Sequence, residues 1–243
     1  MLLRFLLFAV DGLALPPATP PATAVVKRAP LWLTIPTAGS EAQLKAALQW
    51  TFPPRSLQHT AVSTDGRSAA GRCLPYALLQ QLAVIKHPAA QRLGRPTLAA
   101  LDSLRDEVLN FASVNADVAW DSTDSRFSTF AKVVGAVCRL RGWEDGSCTG
   151  RAAVQRWACR LRRASEAGDA AFLFAAAACF GLRIHVHYTT NGRLVDTTFA
   201  SPPTAAVAFL PPNENIHVGF IANGDDTHHY VSVPTVWAGV SQC

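Results

Sequence analysis

The sharpest constraint on the fold is a change of hydrophobic period at Gly181. Upstream, Ala170 to Phe180 is apolar nearly all round, the pattern of a helix buried in a core. Glu166-Ala167-Gly168-Asp169 supplies its N-terminal cap, and Gly181 stands at the usual C-terminal position. Downstream, Leu182-Arg183-Ile184-His185-Val186-His187-Tyr188 alternates as a strand. Asn191-Gly192 signals a tight hairpin to a partner strand, Arg193 to Phe199. Ile216 to Ile221 reads as a further strand, Asn223-Gly224-Asp225-Asp226 as a turn, and His229-Tyr230-Val231-Ser232-Val233 as the last strand. Helices first and a small, mainly antiparallel C-terminal sheet after predict an α+β domain.

The helical half is read from spacing. Ser40 with Glu41 and Gln43 opens a short helix carrying Leu44, Ala47 and Leu48, which Pro53-Pro54 ends. A second helix starts near Cys73 and carries Leu78, Leu79 and Leu82. Thr97 to Ala112 puts Leu98, Leu101, Leu104, Val108 and Phe111 on one face, with Asp102, Arg105, Asp106 and Glu107 mostly outward. Ser113 to Ser128 reads as loop, Phe130 to Leu140 as helix, and Arg151 to Arg163 as an amphipathic helix. With 243 residues, 49% of them hydrophobic and 16% charged, the chain is one packed domain with extensions or two small ones. The Pro-, Ala- and Thr-rich run Pro16 to Pro36 assigns residues 1–39 to a low-complexity, signal-like extension and 40–240 to the domain.

Compartment is read from the N-terminus and the cysteines. Met1-Leu2-Leu3-Arg4 and the apolar Phe5 to Val10 resemble a signal-peptide start, but Asp11-Gly12 interrupts the run. No run reaches the ~18 to 20 apolar residues of a membrane span. The six cysteines show no C-x-x-C pair, and Cys159 and Cys179 lie in apolar helical stretches where buried, reduced thiols are common. A cytoplasmic or nuclear protein is expected, with secretion kept open by the signal-like start.

One cysteine stands apart. Ala69-Ala70-Gly71-Arg72-Cys73-Leu74-Pro75-Tyr76-Ala77-Leu78 places Cys73 after a glycine turn and at a helix start, with Pro75 in the first turn. Unpaired N–H groups and the helix dipole there favour a thiolate. A lone cysteine is more often a small core residue, so the functional reading needs a base. A cysteine on an early helix and a histidine on a late strand need only meet in space. His59 and His87 fall in loops with nothing around them to suggest a role, whereas His228 and His229 enter the last strand. His185 and His187 share a strand face, an arrangement that can bind metal but is more often a half-buried surface.

These residues resemble a known family. Gly71 to Leu78 looks like the Asp-Gly-Asn-Cys-Leu-Phe-x-x-Leu segment of the ovarian-tumour (OTU) cysteine proteases, and His229 to Val233 like their C-terminal His-aromatic-x-Ser-Val strand. Leu104-Arg105-Asp106-Glu107-Val108 resembles the family's Leu-Arg helix. Ala167-Gly168-Asp169, the apolar helix and Ile184-His185-Val186 resemble its Trp-Gly-Asp, Ala-rich helix and Ile-x-Val strand. The likeness runs from residue 63 to 233 in the family's order. It implies a papain-like domain that removes ubiquitin or a ubiquitin-like modifier by hydrolysing an isopeptide bond, without metal or organic cofactor. Cys73 would be the nucleophile, His229 the general base, and Tyr230 would pack near the imidazole. N–H groups between Gly71 and Cys73, Arg72 included, would hold the oxyanion.

Two positions depart from the family. Ala70 stands where it has an aspartate three residues before the cysteine, leaving Asp65 to fold back or the role unfilled. Val231 stands where it has Asp or Asn two residues after the histidine, leaving Asp225, Asp226 or Asn223 as substitutes. A catalytically impaired module that binds ubiquitin or another protein is therefore the second reading. A third uses the seven arginines between Arg139 and Arg163, with Trp143 and Trp157, to bind nucleic acid or an acidic partner.

Overall fold

A computed structural model describes residues 38–51, 71–121, 123–143, 149–163, 168–202, 205–206, 209–222 and 228–233. The chain divides between Leu31 and Trp32 into two units, and the described residues all belong to the second. Its helices are α1 (Glu41–Thr51), α2 (Cys73–Val84), α3 (Pro88–Leu93), α4 (Leu98–Val114), α5 (Phe130–Leu140), α6 (Gly150–Leu161) and α7 (Ala170–Phe180). Four strands follow: β1 (Leu182–Thr190), β2 (Arg193–Phe199), β3 (Glu214–Ala222) and β4 (His228–Ser232). The protein is α+β, as the change of period predicts.

The sheet order is β2-β1-β3-β4. Two neighbour pairs are antiparallel, but β1 and β3 run parallel, with Ile184 opposite Ile216 and Val186 opposite Val218. The reason is that β2 already ends where β1 begins, with Phe199 opposite Ile184, and the return to β3 crosses the sheet at that same end. Leu210 N–H donates to the Ala178 carbonyl and Asn213 N–H to that of Gly181, anchoring this return on the end of α7. Phe209 carries it into the core, where Trp120 packs edge-on against Phe209, Phe130 and Phe174 at 5.0, 5.3 and 5.6 Å between ring centroids. The segment read as plain loop, 113–128, is thus tied down by Trp120 and carries a 3-10 turn at Ser125–Phe127.

α7 lies at the centre. Its residues Ala171, Leu173 and Ala175 to Ala178 are fully enclosed, which is why the segment is apolar on every side. Asp169 caps it through the Phe172 N–H at 3.0 Å, and Gly181 ends it in the left-handed conformation. One sheet face (Leu182, Ile184, Val186, Ile216, Val218, Phe220, Tyr230) joins α2, α4, α5, α6 and α7 in the main core. On the other face Leu44 and Leu48 of α1 cover Ile221, Val231 and Val233 in a second cluster. Gly219 makes room there, since a Cβ would come within 2.8 Å of Leu44.

The candidate active site at the start of α2

Gly71 adopts φ +74°, a left-handed turn that glycine enters without strain, and reverses the chain into α2. Arg72 is the N-cap position but contributes no side-chain cap. The first N–H groups of α2 are therefore left for another acceptor. The Cys73 sulfur lies near enough to the backbone N–H groups of Leu74, of Cys73 itself and of Tyr230 on β4 for them to favour its charged form. The side chain is only 4% exposed. Burial pushes the Cys73 thiol up, while those N–H groups and the charge of Arg105 pull the other way. The balance leaves the resting sulfur a thiol, with groups near it that stabilise a thiolate.

α2 is fixed against the sheet by a residue whose role the spacing conceals. Gln81, fully buried, donates from Nε2 to Ser232 Oγ and to the Val233 carbonyl, both at 2.8 Å, and accepts from the His217 N–H at 3.1 Å. One amide thereby joins α2 to both β4 and β3. At the other end of α2, Gly168 lies against Leu74, where a Cβ would approach the leucine methyl to 2.5 Å. These contacts place the first turn of α2 beside Tyr230.

α4 grips the turn before Cys73. Arg72 forms a two-pronged ion pair with Asp102 at 2.9 and 3.0 Å. Arg105, expected to point outward, is instead 4% exposed and donates to the Gly71 carbonyl at 2.7 Å. The helical spacing is right, but this position faces the Cys73 turn rather than solvent. Tyr230 is buried against Phe220, with ring centroids 4.8 Å apart, and burial keeps its hydroxyl protonated far above neutrality.

His229 is half-buried on β4, paired with Ile221 of β3. Tyr230 and Ser232 face α2, whereas Val231 and Val233 face α1. By strand alternation His229 starts on the α1 side of this edge strand, and the Cys73 sulfur meets β4 at the next residue. Val231 is 1% exposed in the α1 cluster, so its apolar character serves packing. Asp65, Ala70, Asn223, Asp225 and Asp226 lie outside the described residues.

The remaining candidates resolve differently. His87, given no role by the sequence, caps α3 through the Ala89 N–H at 3.2 Å and bonds the Phe180 carbonyl at 3.1 Å. His185, His187 and His217 stack with nearly parallel rings 4.8 to 6.3 Å apart. His187 Nε2 meets His217 Nδ1 at 2.9 Å, and Asp196 meets His185 Nδ1 at 3.0 Å. No group of ligating residues among those described is arranged to hold a metal ion. Of the two cysteines expected to be buried, Cys159 is exposed because it lies on the outer face of α6, and Cys179 is half-buried. Burial pushes the Cys179 thiol up to about 12.

The arginine-rich segment is largely engaged within the protein. Arg141 stacks on Trp143 and reaches Asp169 at 3.5 Å, and Arg160 covers the same indole at 5.1 Å. Arg151 pairs with Asp117, and Arg162 with Asp106 and Asn110. Trp157 is fully buried and donates to Asp169 at 3.0 Å, so it is core rather than a stacking platform. No described helix is long and apolar enough to cross a membrane.

No family model and no curated protein matches the sequence. Solved structures similar to the chain include OTU domains. One is the OTUD1 OTU domain, 11% identical with a TM-score of 0.42, the match covering 79% of this chain and 91% of that one. Another is an OTU deubiquitinase from Wolbachia pipientis wMel bound to ubiquitin, 12% identical with a TM-score of 0.35, covering 74% and 95%.

Proposed function

We propose that the protein is an OTU-like thiol isopeptidase acting on ubiquitin or a ubiquitin-like modifier, with Cys73 as nucleophile and His229 as general base. The observation that carries this reading is the Cys73 sulfur at a helix start, near main-chain N–H groups of its own turn and of the residue after His229. Among the described residues β4 is an edge strand, and His229 directly precedes the residue whose N–H lies near the Cys73 sulfur. The thiolate attacks the isopeptide carbonyl carbon, and the N–H groups around Gly71 to Leu74 stabilise the resulting oxyanion. The C–N bond then breaks, the lysine amine leaves with the proton held by the imidazole, and water hydrolyses the thioester. The family likeness of the ordered segments from 63 to 233 supports the substrate class.

The test is a ubiquitin carrying a C-terminal propargylamide. Wild-type protein forms a covalent adduct, Cys73→Ala forms none, and His229→Ala slows capture about 100-fold or more. A folded protein that gives no adduct, or an adduct that survives Cys73→Ala, overturns the reading. The packing of Val231 against α1 favours the second reading, an impaired binding module, because that position has no group to orient the imidazole. Ubiquitin binding without capture would select it.

A further inference from the structure

The turn before Cys73 is held from one side by α4 in a way that folding alone does not require. A Gly71–Arg72 peptide plane at a left-handed glycine is free to rotate unless its carbonyl or its N–H is anchored. Arg105 anchors the carbonyl, donating to it at 2.7 Å. In a trans peptide the N–H points opposite the carbonyl, so fixing the Gly71 oxygen toward α4 aims the Arg72 N–H away from α4. Asp102, one helical turn before Arg105, holds the Arg72 side chain by two hydrogen bonds. The Gly71 carbonyl and the Arg72 side chain are therefore both bound to one helix face.

The choice of arginine needs a reason beyond stability. Desolvating a guanidinium costs more than one hydrogen bond to a neutral carbonyl returns. Asp102 and Asp106 offset part of that cost, while Arg72 adds repulsion. Negative charge forming at Cys73 would complete the balance, and the Arg105 charge already acts on that sulfur.

Resting on the reading of Cys73 as a nucleophile, we propose that Arg105 is a positioning residue for it. Arg105 locks the Gly71–Arg72 peptide in the orientation that the oxyanion uses, and its buried charge stabilises the thiolate. Asp102 is its partner in the clamp.

The experiment follows alkylation of Cys73 by iodoacetamide across pH, read site by site by mass spectrometry, with exposed Cys159 as internal control. Arg105→Met is expected to move the Cys73 midpoint upward and slow alkylation at neutral pH about 10-fold, with Cys159 unchanged. Arg105→Lys keeps the charge and restores most of the midpoint. With a fluorogenic ubiquitin amide both variants lose about 10- to 100-fold in kcat at unchanged KM, because neither holds the peptide plane as the fork does. A folded Arg105→Met protein whose Cys73 profile superimposes on wild type overturns the proposal. If that variant does not fold, Asp102→Asn at the partly exposed end of the clamp replaces it: slower Cys73 alkylation supports the inference and an unchanged rate refutes it. Wild-type protein that turns over no ubiquitin substrate sinks the isopeptidase reading alone, since alkylation still decides the role of Arg105.

Discussion

Asp169 uses one carboxylate to start α7 and to satisfy the buried indole of Trp157. Its Oδ1 accepts from the Phe172 N–H at 3.0 Å and its Oδ2 from Trp157 Nε1 at 3.0 Å. Burial pushes the carboxyl up, and these hydrogen bonds with the Arg141 charge oppose the shift. Asp169→Ala removes a helix cap, worth about 1 kcal/mol, and strands an indole N–H at a cost of about 1–3 kcal/mol. Urea unfolding should therefore show a loss of about 2–4 kcal/mol. Asp169→Asn keeps one acceptor for the cap but sets an amide NH2 against the indole N–H, so it should recover only the cap, about 1 kcal/mol. Equal losses in the two variants would mean that charge, not acceptor geometry, is what matters there. The cap was legible in the sequence because a short acid before an apolar run has a local signature. The Trp157 bond was not, because nothing local pairs residues 157 and 169.

At the scale of elements, the placement of Cys73 depends on how α2 is held. Gln81 satisfies three polar groups from β3 and β4 at once. Gln81→Leu preserves the apolar volume but leaves the Ser232 hydroxyl, the Val233 carbonyl and the His217 N–H without that partner. With each buried unsatisfied group costing about 1–3 kcal/mol, a loss of at least about 3 kcal/mol is expected in chemical denaturation. A loss below about 1 kcal/mol would show that water replaces the amide. The sequence marks α2 by its leucines and gives no hint of Gln81, since a polar residue on a helix reads as solvated until a strand is brought against it. Arg105 is the same case on α4, and the short α3 escaped because six residues carry too little periodicity.

Across the molecule, the sheet face opposite α7 carries a pH dependence. Burial, with the neighbouring imidazoles, lowers His217 to about 4 and lowers His187 as well; the Asp196 charge opposes both shifts. An unfolded histidine titrates near 6.5. Between pH 6.5 and 4 the unfolded chain therefore binds more protons than the folded one, and stability falls as pH falls through that window. Thermal unfolding at pH 7.5, 6.0 and 5.0 should show a falling midpoint, and His217→Asn should flatten the slope whatever it does to the midpoint at pH 7.5. A variant as acid-sensitive as wild type would move the effect elsewhere. Asp196, held below the ordinary carboxylate range chiefly by its hydrogen bond to His185, adds a further loss only in stronger acid.

Hydrophobic period, caps and turn residues are local, and by themselves they determined the order of elements here: α5, α7 and β2 run over the expected residues, and the turn at Asn191-Gly192 joins β1 to β2. They also singled out Cys73 by its place between a glycine turn and a helix. What joins distant segments was decided only by the tertiary structure. The parallel pairing of β1 with β3, the Gln81 bridge, the inward turn of Arg105 and the apolar packing of Val231 all depend on which face of one element meets which face of another. A one-dimensional pattern records that a position is polar or apolar, but not which partner makes a buried polar group affordable.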